Sequence, residues 1–289
     1  MFYRLLNAYT RQFAFPHRGL KYFLKAAKWL NLDTKTYRKK LAGNFFMQLN
    51  PSEHIQRQLF WYGYYEKELG VLIKNALQPG DVFIDIGANI GYFSLLAARQ
   101  QPTARIISIE PVKELFEKLK ENILLNDFKN IFPVNAAAGE ANEEKELFLS
   151  GSDNLGMSSF KQPENYSGKK EKVQVIKLDD WFKTSGLTKI DLVKLDIEGS
   201  ELAALKGMQE ILLRYKPQII IEINPGTLSL FDLKPVAIFN FLSDLNFTGF
   251  MISGSCQLLP VSEELHGHTV NVVFVPKGKK LTLPLTIIN

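Results

Sequence analysis

The chain has 289 residues, 46% of them hydrophobic and 22% charged, and a formal net charge of +5 at pH 7. This composition is typical of a globular protein and excludes global disorder, and the length fits one large α/β domain with an extension. Because Cys256 is the single cysteine, no internal disulfide can form, and we expect a reducing, cytoplasmic location. No apolar run reaches the roughly 18 residues that a membrane-spanning helix needs.

The positive charge is concentrated at the N-terminus. Residues 1–40 contain ten lysines and arginines and one acidic residue, whereas the remainder contains 25 basic and 29 acidic residues. Apolar residues recur there at helical spacing, namely Leu20, Phe23, Leu24, Ala27 and Leu30. Residues 1–50 are therefore predicted to form a basic helical extension, and residues 51–289 the main domain. Two roles stay open for residues 1–40: peripheral contact with an anionic membrane surface, or a lid on the main domain.

Strands alternate with helices along the main domain. The predicted strands are Val82–Ile86, Arg105–Ile109, Ile131–Ala137, Leu192–Ile197, Gln218–Ile223, Phe247–Ile252 and Val270–Val275. The predicted helices lie near Leu69–Leu77, Tyr92–Arg99, Leu115–Ile123, Glu201–Leu213 and Val236–Leu245. This order predicts a mostly parallel sheet with helices on both faces, and the last two strands predict an antiparallel hairpin at one edge. Residues 139–178 interrupt the order with two further strands, Glu146–Leu149 and Val173–Ile176, around a polar loop.

A glycine turn lies between the first predicted strand and its helix, with the sequence Asp85-Ile86-Gly87-Ala88-Asn89-Ile90-Gly91. Glycines at 87 and 91 let the backbone turn tightly and approach a ligand closely. Glu110, after the next strand, can accept hydrogen bonds from the hydroxyls of a ribose. Asp85 occupies the position of the first glycine in the G-x-G-x-x-G motif, and its carboxylate would repel a pyrophosphate. The turn therefore favours a ligand with ammonium and sulfonium groups over a dinucleotide.

Charged residues alternate at the end of the fourth predicted strand. Lys194, Asp196 and Glu198 share one face of an extended strand, at the edge where open α/β sheets bind ligands. One interpretation is a purely structural ion pair between Lys194 and Asp196 or Glu222. The other is chemistry: Asp196, Glu198 or Glu222 can serve as a base for a hydroxyl acceptor. A divalent cation at Asp196 and Glu198 is a further alternative, but no metal site is assigned.

These motifs together resemble the FkbM family of S-adenosylmethionine-dependent methyltransferases. The resemblance covers roughly residues 53–275 and rests on the glycine turn, Glu110-Pro111, Ser158-Ser159, Leu178-Asp179-Asp180 and above all Lys194-Leu195-Asp196-Ile197-Glu198-Gly199. It implies a Rossmann-like class I methyltransferase fold with a seven-stranded sheet and S-adenosyl-L-methionine as cofactor. It also implies O-methylation of a hydroxyl-bearing acceptor, such as a sugar, a polysaccharide, a glycolipid or other lipid-linked glycan, or a small metabolite.

The resemblance also implies the site residues. The cofactor-binding residues would be Glu66, Asp85, Gly87, Ala88, Asn89, Gly91, Glu110, Pro111, Asn135 and Ala136. Within this set, the glycine turn would surround the methionine part, Glu110 the ribose, and Asn135 with Ala136 the adenine. The catalytic residues would be Lys194, Asp196, Glu198 and Glu222.

Three other classes are weighed against this interpretation. An NAD-dependent oxidoreductase would need the triple-glycine turn, which the chain lacks. A nucleic-acid amine methyltransferase would need an Asn/Asp-Pro-Pro-aromatic motif where this chain has Asp196-Ile197-Glu198-Gly199, so nucleic acid is not an expected partner. A non-catalytic adaptor on a methyltransferase scaffold also stays open. The basic extension favours this interpretation, whereas the intact glycine turn argues against it.

Overall fold

The structure is a computed structural model that describes residues 34–252, 258–261, 265 and 267–278. Its strands in chain order are β1 (Tyr37–Lys40), β2 (Phe46–Leu49), β3 (Val82–Ile86), β4 (Arg105–Ile109), β5 (Ile131–Val134), β6 (Ala137–Gly139), β7 (Glu143–Ser150), β8 (Tyr166–Lys177), β9 (Leu192–Leu195), β10 (Gln218–Ile223), β11 (Phe247–Ile252), β12 (Leu258–Pro260) and β13 (Val270–Pro276). Its helices are α1 (His54–Tyr62), α2 (Lys67–Ala76), α3 (Tyr92–Gln100), α4 (Lys113–Leu125), α5 (Leu178–Thr184), α6 (Glu201–Lys206), α7 (Gln209–Tyr215), α8 (Pro225–Ser229) and α9 (Pro235–Asp244). Residues 1–33 of the basic arm and Cys256 lie outside the described residues.

The central sheet confirms the predicted α/β architecture. Its spatial strand order is β5-β4-β3-β9-β10-β13-β11-β12, and the strands from β5 to β10 are parallel. Strand β13 is antiparallel to both β10 and β11, as predicted for the closing strands. The sheet has eight strands rather than seven because the short strand β12 pairs with β11 at the edge. Phe83 and Ile84 of β3 belong to different buried clusters, as expected for a central strand that is covered on both faces.

Residues 37–49 show that the predicted helix across residues 1–50 is wrong over this part. They form an antiparallel hairpin of β1 and β2. Met47 and Leu49 are buried while Gln48 between them is exposed, which is the period of two expected for a strand. The Asn122 side-chain oxygen accepts a hydrogen bond from Gln48 N at 2.8 Å, so the hairpin is attached to α4. The division of the chain at residues 50 and 51 remains a prediction.

The predicted helix over Glu201–Leu213 is two helices, α6 and α7, which separate at Gly207. A Cβ atom at this position would overlap the backbone oxygen of Gly139, so the helix can contact β6 only through a glycine. The Asp179 carboxylate accepts hydrogen bonds of 3.0 Å from two backbone N–H groups at the start of α7. Asp179, which belongs to one of the resemblance motifs, therefore caps a helix.

The excursion over residues 139–178 folds with β6 as a second sheet of order β6-β8-β7. Its two predicted strands are confirmed but are longer than expected, and the predicted strand Ile131–Ala137 is divided between β5 and β6. Lysines of β8 pair with glutamates of β7, as in Lys170–Glu146 at 2.9 Å and Lys172–Glu144 at 3.0 Å. The lysine-rich stretch is therefore a solvated ladder of ion pairs. Among the helices that the structure describes, none is long and apolar enough to cross a membrane.

Candidate functional site

Two cavities open where the parallel strands β3, β4, β9 and β10 end. The larger of the two, about 250 Å³, lies between the glycine turn and a group of carboxylates, some of which follow β9 while one belongs to β10. The smaller cavity, about 40 Å³, lies between Glu110-Pro111 and Ala136. Gly87, Glu110 and Asp196 line both cavities. The fold thus brings residues from three separate predicted motifs to one place.

The two glycines of the turn have left-handed backbones, with φ of +79° at Gly87 and +91° at Gly91. A Cβ atom at Gly87 would overlap the backbone oxygen of Asp196, and one at Gly91 would lie 2.5 Å from Leu119 Cδ1. Backbone N–H groups of residues 87 and 88 both donate to the Ile109 carbonyl at 3.0 Å. The glycines are therefore needed for the turn to meet its neighbours, and Ala88 and Asn89 line the larger cavity beside them.

Asp85 lies behind the turn and lines neither cavity. It is 1% exposed, and its Oδ2 accepts a hydrogen bond of 2.6 Å from Ser94, whose Oγ accepts one from Ser108 at 2.7 Å. Its Oδ1 lies 3.8 Å from Lys194 Nζ. Burial raises the pKa of Asp85, although Lys194 and Ser94 act in the opposite direction. Its position suits the support of Lys194, and its predicted contact with the cofactor remains a prediction.

Glu110 is held by the backbone on both oxygens. Oε2 accepts from Asn89 N at 2.8 Å and Oε1 accepts from Val112 N at 2.9 Å. Burial raises the pKa of Glu110 to about 7, against the lowering effect of these two N–H groups. Asn135 is exposed and lines neither cavity; its amide donates to the backbone oxygens of Glu110 and Pro111 at 2.9 and 3.0 Å. It therefore fixes the segment that carries Glu110 and Pro111, while Ala136 lines the smaller cavity.

Lys194 is a buried cation among carboxylates. Its Nζ lies 3.1 Å from Asp196 Oδ2 and 5.2 Å from the centroid of the Phe93 ring. Burial by itself would lower the pKa of Lys194, but Asp196, Asp85 and Glu66 raise it by more, so its pKa lies above the usual value. The ion pair that the sequence suggested as a structural alternative is thus present. Asp196 nevertheless keeps 24% of its side chain exposed and faces both cavities, so the pair does not exclude chemistry.

Three carboxylates meet on the wall of the larger cavity. One oxygen from each of Asp196, Glu198 and Glu222 lies within 4.8 Å of the other two, an arrangement that a divalent cation could use. Burial, then Asp196 and Glu201, raises the pKa of Glu198 to about 8. Asp196, then burial, raises the pKa of Glu222 to about 10. The cluster therefore favours a bound proton, a cation or a hydrogen-bond donor.

Glu66 lies beside this cluster and not beside the glycine turn. It lines neither of the two cavities described above but two others, of about 290 and 490 Å³. Burial and then Asp196 raise the pKa of Glu66 to about 7, while Lys194 and a hydrogen bond with Asn271 lower it. A direct contact between Glu66 and the cofactor remains a prediction.

Sequence reasoning gave no role to several residues of the site. His54, Tyr65 and Phe93 line the larger cavity, and Gly156 of the excursion lines both cavities. A Cβ atom at Gly156 would lie 2.6 Å from Asn89 Nδ2, so the excursion packs tightly over the glycine turn. The available signal was the length of the excursion and the aromatic residues of 51–65, neither of which identifies individual residues.

Comparisons with known proteins agree with these motifs. The family model described as the methyltransferase FkbM domain matches residues 85–248, more than half of the chain. The AMB antimetabolite synthetase AmbE of Pseudomonas aeruginosa is 26% identical over 229 residues, which are 68% of this chain and 10% of that protein. The 2-O-methyltransferase NoeI of Sinorhizobium fredii is 26% identical over 178 residues, 55% of this chain and 72% of that protein.

A solved structure of the methyltransferase FkbM from Methylobacillus flagellatus is 17% identical, with a TM-score of 0.46; the match covers 89% of this chain and 59% of that one. The chain thus spans a tenth of the length of the synthetase and about three-fifths of the solved structure. The family match includes the glycine turn, Glu110 and the Asp196–Glu201 segment, on which the resemblance was based. The chain therefore belongs to the FkbM family of S-adenosylmethionine-dependent methyltransferases.

Proposed function

We propose that this protein transfers the methyl group of S-adenosylmethionine to a hydroxyl oxygen of a sugar, a lipid-linked or polymeric glycan, or a small metabolite. The observation that carries the proposal is the position of Asp196, which pairs with Lys194 and lines both cavities. A hydroxyl is a poor nucleophile until a base removes its proton, and carboxylates at the cavity wall can do this. The similarity to a 2-O-methyltransferase supports oxygen as the acceptor atom.

The task of each residue follows from its place. When bound, S-adenosylmethionine supplies an electrophilic methyl group on a positively charged sulfur. The glycine turn and Glu110 hold and orient the donor, and positioning of this kind lowers much of the barrier to a displacement. Asp196, or Glu198 in its ionised form, would accept the hydroxyl proton of the acceptor, while the cofactor, when bound, would supply the methyl group and retain the bonding electron pair on its sulfur. Lys194 holds Asp196 in place. The raised pKa of Glu222, about 10, favours its protonated form at neutral pH, and that form can donate a hydrogen bond to the acceptor.

The acceptor is best identified with labelled cofactor. The full chain is incubated with methyl-labelled S-adenosylmethionine and a panel of sugars, glycolipids and small alcohols and phenols, and products are analysed by mass spectrometry. We expect one methyl group on an oxygen, and far less product from the Asp196→Asn variant. A label on nitrogen or carbon would contradict the proposed O-methylation, and no label on any acceptor of the panel would count against this acceptor class.

A thermal shift assay separates a methyltransferase from an NAD-dependent oxidoreductase and from a non-catalytic adaptor. S-adenosylmethionine should raise the melting temperature and NAD should not, because the turn lacks the triple-glycine motif. Stabilisation by NAD alone would favour an oxidoreductase. Stabilisation by neither would favour a non-catalytic adaptor that has lost the cofactor site.

Vesicle sedimentation separates the two roles proposed for residues 1–40. Part of the basic charge is already committed to the fold, since Lys39 is buried with its Nζ 4.6 Å from the Phe60 ring centroid. Membrane contact predicts sedimentation with anionic vesicles that fades at high salt, at about 1 kcal/mol per lysine near the surface. A lid predicts no sedimentation at any salt, and weaker acceptor binding when residues 1–33 are deleted.

A further inference from the structure

The turn that follows β9 has an unusual backbone. Glu198 has φ of +52° and Gly199 has φ of +98°, so two consecutive residues are left-handed. Glutamate disfavours this region because its Cβ approaches the following carbonyl. A Cβ atom at Gly199 would also lie 2.7 Å from the Thr227 carbonyl oxygen, so this residue must be glycine. Such a conformation persists only where surrounding groups hold it.

Glu201 holds the turn from one side. This residue is 3% exposed, and its Oε1 accepts hydrogen bonds from Gly199 N at 3.1 Å and Ile197 N at 3.3 Å. Burial raises the pKa of Glu201 to about 7, while these N–H groups lower it. A charged acceptor strengthens such hydrogen bonds. The carboxylate thus satisfies two backbone groups that the turn would otherwise leave without partners.

Ser159 holds the same turn from the other side. It is 2% exposed, and its Oγ donates to the Glu198 carbonyl at 2.8 Å. Two backbone hydrogen bonds with Phe148, of 2.9 and 3.1 Å, fix Ser159 to β7. Glu201 and Ser159 therefore engage backbone groups of three consecutive residues, and Ser159 links the excursion to the turn.

The held turn forms a wall of both cavities. Asp196, Ile197 and Ser200 line the smaller cavity, while Asp196 and Glu198 line the larger one. The Asp196 carbonyl also packs against Gly87 so closely that no Cβ fits between them. A shift of this turn would move the glycine turn and the carboxylate cluster together.

We infer that Glu201 and Ser159 are positioning residues, which hold the Asp196–Gly199 turn in the conformation that binds S-adenosylmethionine and presents the Asp196 and Glu198 carboxylates. The inference rests on the proposed function, because it takes the two cavities as the site of the cofactor and the reaction. Glu201 lines neither cavity, so it acts through the turn. Ser159 lines the smaller cavity, but its hydroxyl donates to the Glu198 carbonyl, so amide exchange at the turn distinguishes positioning from a direct contact with the cofactor.

Cofactor affinity of the full chain tests the inference, measured by calorimetry with S-adenosylmethionine. Glu201→Ala and Ser159→Ala should each weaken binding about 10- to 100-fold, the scale of a lost buried hydrogen bond to a strong acceptor or donor. Glu201→Gln keeps an oxygen that can accept from both N–H groups and should bind within a few-fold of wild type. Amide hydrogen exchange at Ile197 and Gly199 should accelerate in Glu201→Ala and stay slow in Glu201→Gln.

Two matched variants serve as controls. Ser167→Ala removes an exposed hydroxyl whose hydrogen bond, to the Leu149 carbonyl at 2.8 Å, stays within the excursion. Glu210→Ala removes an exposed glutamate at the start of α7. Both should bind the cofactor as wild type does, even where the melting temperature falls.

The outcomes separate the inference from the proposed function. If wild type does not bind S-adenosylmethionine, the proposed function fails. If wild type binds but folded Ser159→Ala and Glu201→Ala bind equally well, the inference is wrong while the function stands. Should Glu201→Ala not fold, Ser159→Ala decides alone: unchanged affinity and unchanged exchange at the turn would overturn the positioning role.

Discussion

Glu110 and Glu222 lie at the same edge of the sheet and differ in what surrounds them. Glu110 is buried, and each of its oxygens accepts a backbone N–H, from Asn89 and Val112. Glu222 is partly buried and faces Asp196, Glu66 and Glu198, with Lys194 as the nearby cation. Burial raises the pKa of Glu110 to about 7, whereas Asp196 and burial raise the pKa of Glu222 to about 10.

The two glutamates belong to two regions of the site, which differ in how their polar groups are held. In the region of the glycine turn and Glu110, the backbone itself fixes the polar groups, so the geometry exists before any ligand binds. In the region of Asp196, Glu198 and Glu222, carboxylates repel one another and depend on protons or on ligand groups to offset their charge. The first region suits recognition, and the second suits proton transfer, because groups with perturbed pKa values cluster where chemistry occurs.

The largest effect should follow Gly87→Val, which attacks the contact between the two regions. The new side chain would overlap the Asp196 carbonyl and force the turn out of its left-handed conformation. We expect loss of measurable S-adenosylmethionine binding and a free energy of unfolding lower by about 3 kcal/mol, from overpacking and backbone strain together. Calorimetry and chemical denaturation measure the two effects.

Gly80→Val is the matched control for that variant. Gly80 has the same φ of +79°, but nothing lies within 4 Å of its Cβ position, so only the backbone strain is shared. It should bind the cofactor as wild type does and lose less stability. Equal losses in the two variants would show that strain, not the contact with Asp196, explains the requirement for glycine.

The second largest effect should follow removal of charge in the carboxylate region. Asp196→Asn and Glu198→Gln keep the side-chain shape but remove a base, and the loss of general base catalysis lowers turnover by about 10²- to 10⁴-fold. Cofactor affinity should change less, because the glycine turn and Glu110 are untouched. Turnover is measured with the acceptor found by labelled-cofactor screening, and Asp180→Asn, on the exposed end of α5, is the control. Wild-type turnover in both variants would make these carboxylates structural.

The metal alternative is tested on the wild-type enzyme with a chelator. No metal site is assigned from the sequence, so turnover should not change when the chelator is added. Loss of turnover that a divalent cation restores would instead show that Asp196, Glu198 and Glu222 hold a cation that acidifies the acceptor hydroxyl.

A smaller effect should follow Glu110→Ala, in the region of the glycine turn. The variant removes a carboxylate that lines both cavities and leaves two backbone N–H groups without their acceptor. S-adenosylmethionine binding should weaken by about 1.5–3 kcal/mol, the range for hydrogen bonds to a charged group. Glu121→Ala, on α4, should leave the affinity unchanged. An unaltered affinity in folded Glu110→Ala would remove the assignment of Glu110 to the ribose.

The region of the glycine turn and Glu110 was more predictable from the sequence than the carboxylate region. The glycine turn is a local motif, and its strand, turn and helix follow one another in the chain, so Gly87, Gly91 and Glu110 could be placed from periodicity. The carboxylate cluster depends on which strands become neighbours in the sheet. The position of Glu66 depends on its own left-handed backbone, which no sequence pattern indicates. Asn135 and Asp85 were assigned by position alone; in the structure Asn135 donates to the Glu110 carbonyl and Asp85 accepts from Ser94, and their contact with the cofactor remains a prediction.

The charge held in the carboxylate region is measured most directly by the pH dependence of stability. The pKa values of Glu66, Glu198 and Glu222 are raised to about 7, 8 and 10 in the folded state, from 4.5 in the unfolded chain. Above about pH 4.5 the unfolded chain has therefore lost protons that the folded protein keeps, so the free energy of unfolding should fall as pH rises from about 5 to 8. One proton contributes at most about 1.4 kcal/mol per pH unit, and relaxation of the cluster will reduce this.

Glu222→Gln should make this decline shallower, because it removes one titrating group and relieves its repulsion with Asp196 and Glu198. Glu121→Gln, distant from the cluster, should keep the wild-type slope. Chemical denaturation at half-unit intervals between pH 5 and 8 gives the slopes. A wild-type free energy of unfolding that rises over this interval, or an identical slope in Glu222→Gln, would mean that the cluster holds no extra protons in the folded protein and that its charge is offset within the fold, as it is for a structural ion pair.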